Sequence, residues 1–273
     1  MENRSFPVYL GITLDCTLSF REHVAKLKKK LSTRNNLLDL LANSTWGADP
    51  KTLRQTAMAV CYSTGEYCSA VWSRSAHAAK INSELNRACR TITGTLKATP
   101  LPSLYRLAGI PPPAIRREAL TKVERDKQIS DSRHPLYGHE PVPTRLRSRH
   151  SFMTVTGLGV LSPGDFRLAR WGDTDVNNND ALPEISESLP SGTDLPRQEW
   201  VALNRARAKV AKTGDNLVRW DIEPSAECPC GDPNQTLHHL QHECPLGPRV
   251  SDEDLKEAND TARRWIERWR DKL

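Results

Sequence analysis

The sequence predicts a mainly α-helical protein with a short N-terminal β segment. Three observations support this: apolar residues recur at helical spacing across residues 20–130, helix-breaking residues dominate 131–198, and helical spacing returns in 199–273. We therefore expect four segments. They are a β segment in 1–19, a helical bundle in 20–130, a flexible linker in 131–198 and a small helical module in 199–273.

The first predicted elements are a strand and a cationic helix. The segment PVYLGITLD has the β-branched and aromatic residues of a strand, and Ser19 with Glu22 forms a capping box that starts a helix at about Phe20. The apolar face of this helix comprises Val24, Leu27, Leu31, Leu38 and Leu41. The rest of its surface carries Lys26, Lys28, Lys29, Lys30 and Arg34.

Further helices complete the predicted bundle. Asp49 followed by proline is a typical helix start, and the helix after it should bury Cys61 and Cys68 in the core. A third helix should end at Gly94, and a fourth should end near residue 129. A short helix between prolines separates them.

The segment 131–198 has a different composition from its neighbours. It holds seven prolines and six glycines, which leave few strings long enough for regular structure. One strand, FMTVTGLGV, is predicted within it. In the C-terminal segment we expect a helix from Trp200 with Arg205 and Arg207 on its polar side. Ser251 should cap a last amphipathic helix.

Charge is distributed unevenly along the chain. Residues 1–130 contain 20 Lys and Arg against 10 Asp and Glu, whereas 131–198 and 199–273 are each slightly acidic. The basic first half favours nucleic acid or another acidic partner. No apolar run reaches the roughly 20 residues of a membrane span, and the N-terminus lacks a signal-peptide pattern. We expect an intracellular protein, nuclear or cytoplasmic, that is not secreted.

The stretch CPCGDPNQTLHHLQHEC, residues 228 to 244, has the composition of a metal site. In a reducing compartment its cysteines are better interpreted as metal ligands than as disulfides. Zinc takes four nitrogen or sulfur ligands in a tetrahedron, and Cys-x-Cys-x8-His-x4-Cys supplies such a set. The predicted ligands are Cys228, Cys230, His239 and Cys244.

Two alternatives to this ligand set remain open. His238 and His242, four residues apart, could share a face, so either could replace His239. The stretch could also be three reduced thiols beside surface histidines. If four ligands bind, no position remains for water, so the zinc would be structural rather than catalytic.

Other catalytic patterns are missing from the sequence. It has no glycine-rich phosphate loop, no nucleophile elbow and no adjacent Asp-Asp pair. His23 and His77 have no evident partners and are predicted to be surface residues. The lysine cluster 26–30 is either a solvated helix face or a phosphate-contacting surface.

The ordered landmarks together resemble the C-terminal part of reverse transcriptases from non-LTR retrotransposons, with the jockey-like and related LINE elements the nearest match. The landmarks are YLGITLDCTLSFREHVAKLKKKLSTR, WGADPKTLR, YSTGEYCSAVW, LNRACRTITGTL, TPLPSLYRLAGIPPP and the Cys–His stretch with ECP. The resemblance runs from about Val8 to the C-terminus and is weakest across 131–198.

The resemblance implies a role for each part of the chain. Tyr9, Leu10, Gly11 and Asp15 would form the junction between the polymerase palm and its thumb. The helix from Phe20 would belong to a thumb-like domain that grips the template–primer. Its backbone-contacting candidates are Lys26, Lys28, Lys29, Lys30 and Arg34. The Cys–His stretch matches the terminal zinc motif of this transposable-element family.

The chain departs from the family where catalysis would occur. The paired aspartates that hold two Mg2+ ions for RNA-directed DNA polymerase activity have no counterpart here, so Mg2+ is expected only for a complete parent enzyme. The chain is therefore expected to be a non-catalytic fragment that binds RNA or DNA, such as template–primer or element RNA. The alternatives are a protein-interaction module and a degenerate retroelement remnant without selected function.

Overall fold

The computed structural model describes residues 6–43, 47–145 and 150–273. The described chain is mainly helical, as predicted, with one two-stranded antiparallel sheet. The α-helices are α1 (Arg21–Leu41), α2 (Pro50–Ala57), α3 (Ser63–Glu66), α4 (Ser69–Trp72), α5 (Asn82–Thr93), α6 (Leu101–Ala108), α7 (Pro113–Ser130), α8 (Pro163–Thr174), α9 (Arg197–Arg207), α10 (Gly214–Arg219), α11 (Asp252–Glu257) and α12 (Asp260–Trp269). Within the described ranges, no helix has the length and apolarity needed to cross a membrane.

The predicted N-terminal strand is a hairpin rather than one strand. Strands β1 (Val8–Tyr9) and β2 (Ile12–Thr13) pair antiparallel, with Tyr9 opposite Ile12. The two turn residues, Leu10 and Gly11, have φ of 46° and 81°. Positive φ at both positions is typical of a two-residue hairpin turn, in which glycine is favoured. The turn therefore folds the predicted strand back on itself.

At the start of α1 the Ser19 hydroxyl accepts a hydrogen bond from the backbone N–H of Arg21 at 3.4 Å, but Asp15, rather than the predicted Glu22, completes the cap. The carboxylate of Asp15 accepts hydrogen bonds from the backbone N–H of Ser19 at 2.9 Å and of Phe20 at 2.7 Å. It also accepts from the backbone and hydroxyl of Thr17. One side chain thus satisfies the donors ahead of the helix.

The helix predicted after Asp49 starts as expected but is interrupted. Asp49 accepts hydrogen bonds from the backbone N–H of Lys51 and Thr52, which caps α2. A π-helical segment, Met58–Tyr62, follows and buries Cys61. The chain then breaks at Cys68, which has φ of 49° and is exposed. The prediction that Cys68 lies in the core is therefore wrong, because the break turns its side chain outward.

By their internal contacts, the residues form two compact units. Of the described residues, unit 1 comprises 6–37, 58–87, 111–145 and 150–174, and unit 2 comprises 38–43, 47–57, 88–110 and 175–273. The first five residues of the predicted 1–19 segment, and residues 146–149 of the predicted linker, lie outside the described ranges. The units interleave along the chain, and the predicted division into four segments stays a prediction.

Unit 1 contains a helix within the segment predicted to be linker. Helix α8 packs on α7 and buries Trp171, which is 1% exposed. The Lys122 ammonium lies 4.4 Å from the centre of the Phe166 ring, where it covers a second aromatic residue of α8. The predicted strand FMTVTGLGV instead contains a 3-10 turn, Phe152–Thr154. Packing of two aromatic residues therefore stabilises a helix in a segment whose prolines and glycines predicted irregular structure.

In unit 2, helix α9 satisfies the last carbonyl groups of α5. The carbonyls of the final turn have no partner within their own helix. Four side chains of α9 donate to the carbonyls of residues 91–94: Arg197, Trp200, Asn204 and Arg205. Cations at a helix C-terminus also interact favourably with the helix dipole. The polar side chains on this face of α9 therefore hold α9 against the end of α5.

Arg207 was predicted on the polar side of the same helix and is instead fully buried. Its guanidinium donates to the carbonyls of Leu255, Ser191 and Lys256 at distances of 2.7 to 3.1 Å. Burial lowers the pKa of this group to about 9. These carbonyls replace the water that an exposed arginine would bind.

Because the Asp15 carboxylate accepts its capping hydrogen bonds only when ionised, we expect the stability of the fold to depend on pH. Although burial raises the pKa of this carboxyl, hydrogen bonds with Thr17, Ser19 and Phe20 outweigh it and lower the pKa to about 2. The folded pKa lies below the unfolded value, so the stabilisation is complete above about pH 4 and is lost as the pH falls through about 2. We predict that Asp15→Ala lowers the free energy of unfolding by about 1 kcal/mol near neutral pH.

Denaturant unfolding from pH 2 to 7 tests this prediction. The difference between wild type and Asp15→Ala should shrink on the acid side of pH 4. The exposed Asp173 provides the control, because Asp173→Ala should change the unfolding free energy little at any pH. A difference for Asp15→Ala that stayed constant down to pH 2 would contradict the assignment of its carboxylate as the cap.

Candidate metal centre

The first half of the Cys–His stretch is a tight turn. The carbonyl of Cys228 accepts a hydrogen bond from the backbone N–H of Gly231 at 2.9 Å, and the N–H of Cys228 donates to the carbonyl of Asp232 at 2.8 Å. Gly231 has φ of 95°, a conformation that residues with a Cβ rarely adopt. This turn brings the side chains of Cys228 and Cys230 to the same site.

The second half is a short helical segment that ends at the third cysteine. The Thr236 hydroxyl accepts a hydrogen bond from the backbone N–H of His239 at 3.0 Å, so it caps the segment. The turn is π-helical over His239–Glu243, and the N–H of Cys244 closes it on the His239 carbonyl at 2.8 Å. The wider π turn places His239 and Cys244 on one side.

The four predicted ligands form one cluster. Their ligand atoms all lie within 4.8 Å of one another. The sulfurs of Cys228 and Cys244 are 3.9 Å apart, and the Cys230 sulfur is 3.2 Å from Nε2 of His239. Zn–S bonds of 2.3 Å in a tetrahedron require sulfurs about 3.8 Å apart. The donor set and its spacing therefore fit a metal ion such as zinc.

The other two histidines of the stretch lie outside this cluster. His238 and His242 are both exposed, and their rings lie 4.8 Å from each other. The alternative in which one of them replaces His239 is therefore not favoured by the geometry. His239 itself is 5% exposed, and three of the four cluster residues are buried.

Polar groups around the cluster orient the candidate ligands. The Gln235 amide donates to the Cys228 sulfur at 3.5 Å. Nδ1 of His239 lies 3.5 Å from a carboxylate oxygen of Asp232 and of Glu243, and it makes no hydrogen bond within the described ranges. Metal-bound histidines commonly direct their second nitrogen at a carboxylate. Neither Gln235 nor Asp232 was predicted to be part of the site, although both lie between the candidate ligands in the sequence.

The thiols of this cluster have unequal acidities. Burial raises the pKa of Cys244 to about 11. At Cys228 burial acts in the same direction, but hydrogen bonds with the Cys230 backbone and the Gln235 amide outweigh it and lower the pKa to about 7. Three thiolates at these distances would repel one another, and a bound cation would remove that repulsion. The cluster is chemically suited to a divalent ion.

The cluster is part of the hydrophobic core of unit 2. Cys228, Cys244 and Leu240 belong to the same buried group as Trp265 and Trp269 of α12. The indole N–H of Trp265 donates to the Leu240 carbonyl at 2.8 Å, which ties α12 to the π turn. The last helix, α12, therefore packs against the Cys–His stretch.

The last helix was predicted to be continuous and is instead broken in two. The capping box at its start is present, formed by Ser251 and Asp254. Ala258 then adopts a left-handed conformation with φ of 56°, and Asn259 caps α12 through the backbone N–H of Thr261 and Ala262. Asn259 therefore starts a new helix, although the apolar residues on either side of it follow one helical spacing.

The predicted nucleic-acid-binding residues occupy two environments. Lys26, Lys28, Lys29 and Lys30 are all exposed on α1. Arg34 is partly buried, and its guanidinium donates to the Val60 carbonyl at 2.6 Å. Arg34 therefore has a structural contact that the charge pattern did not predict.

His23, predicted to be a surface residue, is 7% exposed. Its Nδ1 accepts a hydrogen bond from the backbone N–H of Thr13 at 3.4 Å, and its ring lies 5.9 Å from that of Trp72. The hairpin and Trp72 supply the partners that its sequence neighbours do not. The prediction is therefore wrong.

Comparisons with known proteins add no family to this description. No protein-family model matches the chain, no curated protein is significantly similar to it, and no solved structure resembles it significantly.

Substitution of one histidine should remove the metal, while substitution of its neighbour should not. We predict that the purified chain binds one zinc ion and that His239→Asn reduces the bound metal severalfold, because it removes one of four ligands. His242→Asn is the matched control and should retain full occupancy, since His242 is outside the cluster. Elemental analysis checks stoichiometry, and cobalt substitution reports thiolate coordination by absorption. Equal metal content in the two variants would contradict the ligand set.

Proposed function

We propose that this chain binds the nucleic-acid backbone through the lysines of α1 and is stiffened by a structural zinc ion. In this proposal it is the non-catalytic C-terminal part of a non-LTR retrotransposon reverse transcriptase. Residues 1–19 are the palm–thumb junction, 20–130 the thumb-like domain and 199–273 the zinc module. The observation that carries the proposal is the exposure of four lysines within five positions of one helix.

The surroundings of α1 support phosphate contact. Val24, Leu27 and Leu31 are buried on the opposite side, so the helix is held by apolar packing. None of the four lysines makes an ion pair with another part of the described chain. Their charges are therefore available to a polyanion instead of being neutralised internally.

The Cys–His cluster supports the second half of the proposal. Its four donors would hold zinc in a closed tetrahedron, and the ion would link the Cys228 turn to the His239–Glu243 segment. A closed site supplies cross-linking rather than a reactive water. Mg2+ belongs only to the complete parent enzyme in this proposal, because no paired aspartates are present in the sequence to hold it.

A protein-interaction module is the second candidate, favoured by the hairpin. Val8, Tyr9 and Leu10 are 62%, 69% and 71% exposed, an unusual concentration of apolar surface. Substituting Val8 and Leu10 by serine separates the two candidates. Loss of a protein partner with nucleic-acid affinity unchanged would favour this second function.

Backbone binding predicts a steep salt dependence. Each phosphate that a lysine neutralises releases counterions, so four contacts should give a log–log slope of affinity against salt of about −3. We predict that replacing Lys26, Lys28, Lys29 and Lys30 by glutamine removes most of this slope. Fluorescence anisotropy with a labelled oligonucleotide over a salt series measures it.

The matched control replaces four other exposed lysines, Lys51, Lys80, Lys97 and Lys272. This variant has the same net charge as the α1 variant and should keep the slope nearly unchanged. Equal losses in both variants would show that net charge alone drives binding. Affinity that does not fall between low and moderate salt would contradict the proposed function.

A further inference from the structure

An open groove lies beside the lysines of α1, within unit 1. Its volume is about 350 Å³, and it is bordered by the hairpin, α1 and the residues of and after α3. The polar residues that matter here are Lys26, Lys30, Ser63, Thr64 and Tyr67. The described residues that line the groove include no acidic side chain. The groove is therefore suited to an anionic group.

The groove separates the four lysines into two pairs. Lys26 and Lys30 line it, whereas Lys28 and Lys29 do not. Residues four apart on a helix have Cβ atoms about 5–6 Å apart, so two ammonium groups can contact the same phosphate. The Lys26 ammonium lies 3.4 Å from the hydroxyl of Thr13, which directs it toward the hairpin side.

Tyr67 forms an aromatic wall of the groove. Its side chain is 54% exposed, and its hydroxyl donates to the Leu10 carbonyl at 3.1 Å. The ring also packs on the turn, since its Cε1 lies 3.5 Å from the position that a Cβ at Gly11 would occupy. The hairpin therefore fixes a largely exposed ring next to two cations.

His23 lies in the same wall and has an unused donor. Because Nδ1 accepts the hydrogen bond from Thr13, a neutral imidazole carries its proton on Nε2. That atom is buried and has no hydrogen-bond partner within the described ranges. Because Nε2 is closed off from solvent, an acceptor in the groove would reach it only after the wall shifted, so His23 is not assigned a contact with a ligand.

We infer that this groove is a nucleotide subsite for single-stranded nucleic acid, in which Lys26 and Lys30 hold a backbone phosphate and Tyr67 stacks on a base. The inference rests on the proposed function and specifies its substrate. Single strands are bound by a cationic groove combined with aromatic rings, because unpaired bases have free faces. Bases inside a duplex are stacked on one another and offer no face to Tyr67.

The test uses three labelled probes of equal length: a single-stranded oligonucleotide, its abasic counterpart and a duplex. Binding to the full chain is measured by anisotropy. Tyr67→Leu should weaken single-strand binding about tenfold, since stacking contributes on that scale. It should leave the abasic strand and the duplex unchanged. Tyr67→Phe retains the ring and should bind like wild type.

The exposed Tyr137 provides the control, because it lies in unit 1 but does not line the groove. Tyr137→Leu should bind all probes like wild type. A loss for Tyr67→Leu that was equal on abasic and base-containing strands would overturn the stacking role. Tighter binding of the duplex, with the same loss on Tyr67→Leu, would overturn the single-strand assignment.

The lysine pairs distinguish this subsite from general charge attraction. The double variant Lys26→Gln, Lys30→Gln should lose severalfold more single-strand affinity than Lys28→Gln, Lys29→Gln, although both remove two charges. Equal losses would overturn the subsite while leaving backbone binding by α1 intact. If neither pair altered affinity or its salt dependence, the proposed function would fail together with the subsite.

Discussion

The convergence of three cysteine sulfurs and one histidine nitrogen constrains the C-terminal part of unit 2. The two halves of the site come from a β-like turn and a π turn separated by only a few residues, so little chain is available to stabilise either one. Apolar packing contributes through Leu240 and the tryptophans of α12. In the proposed function a metal ion supplies the remaining cross-link, because adjacent buried thiolates are otherwise unfavourable.

Unit 1 depends on a different constraint, the separation of apolar and cationic faces along α1. Buried leucines and valine fix the helix, while neighbouring lysines remain in solvent without internal ion pairs in the described chain. Such an arrangement costs stability through repulsion between the lysines. The capping of the helix by Asp15 and the packing of His23 under the hairpin offset that repulsion locally.

Local signals predicted much of the helical structure. The starts at Asp49 and Ser251, and the glycine at the end of α5, were readable because capping involves residues only a few positions apart. The Cys–His cluster was readable for the same reason, since its four residues lie within 17 consecutive positions, and its binding of a metal stays a prediction. The structure was needed only to show that His239, and not His238 or His242, lies with the three cysteines.

The wrong predictions have two physical causes, which are dependence on distant partners and local breaks in the backbone. Arg207 is buried because carbonyls up to 49 positions away accept its hydrogen bonds, and nothing in its own helix indicates them. Cys68 is exposed because of a backbone break that its apolar spacing conceals. The groove at Tyr67 combines residues more than 50 positions apart, so it could not be found from the sequence.

The coordination of the purified protein tests the central claim most directly. X-ray absorption at the zinc edge reports the number, type and distance of ligands. A structural site formed by Cys228, Cys230, His239 and Cys244 predicts three sulfurs at about 2.3 Å and one nitrogen at about 2.0 Å. A spectrum with fewer sulfurs and with oxygen ligands, or a folded chain that takes up no zinc, would contradict it.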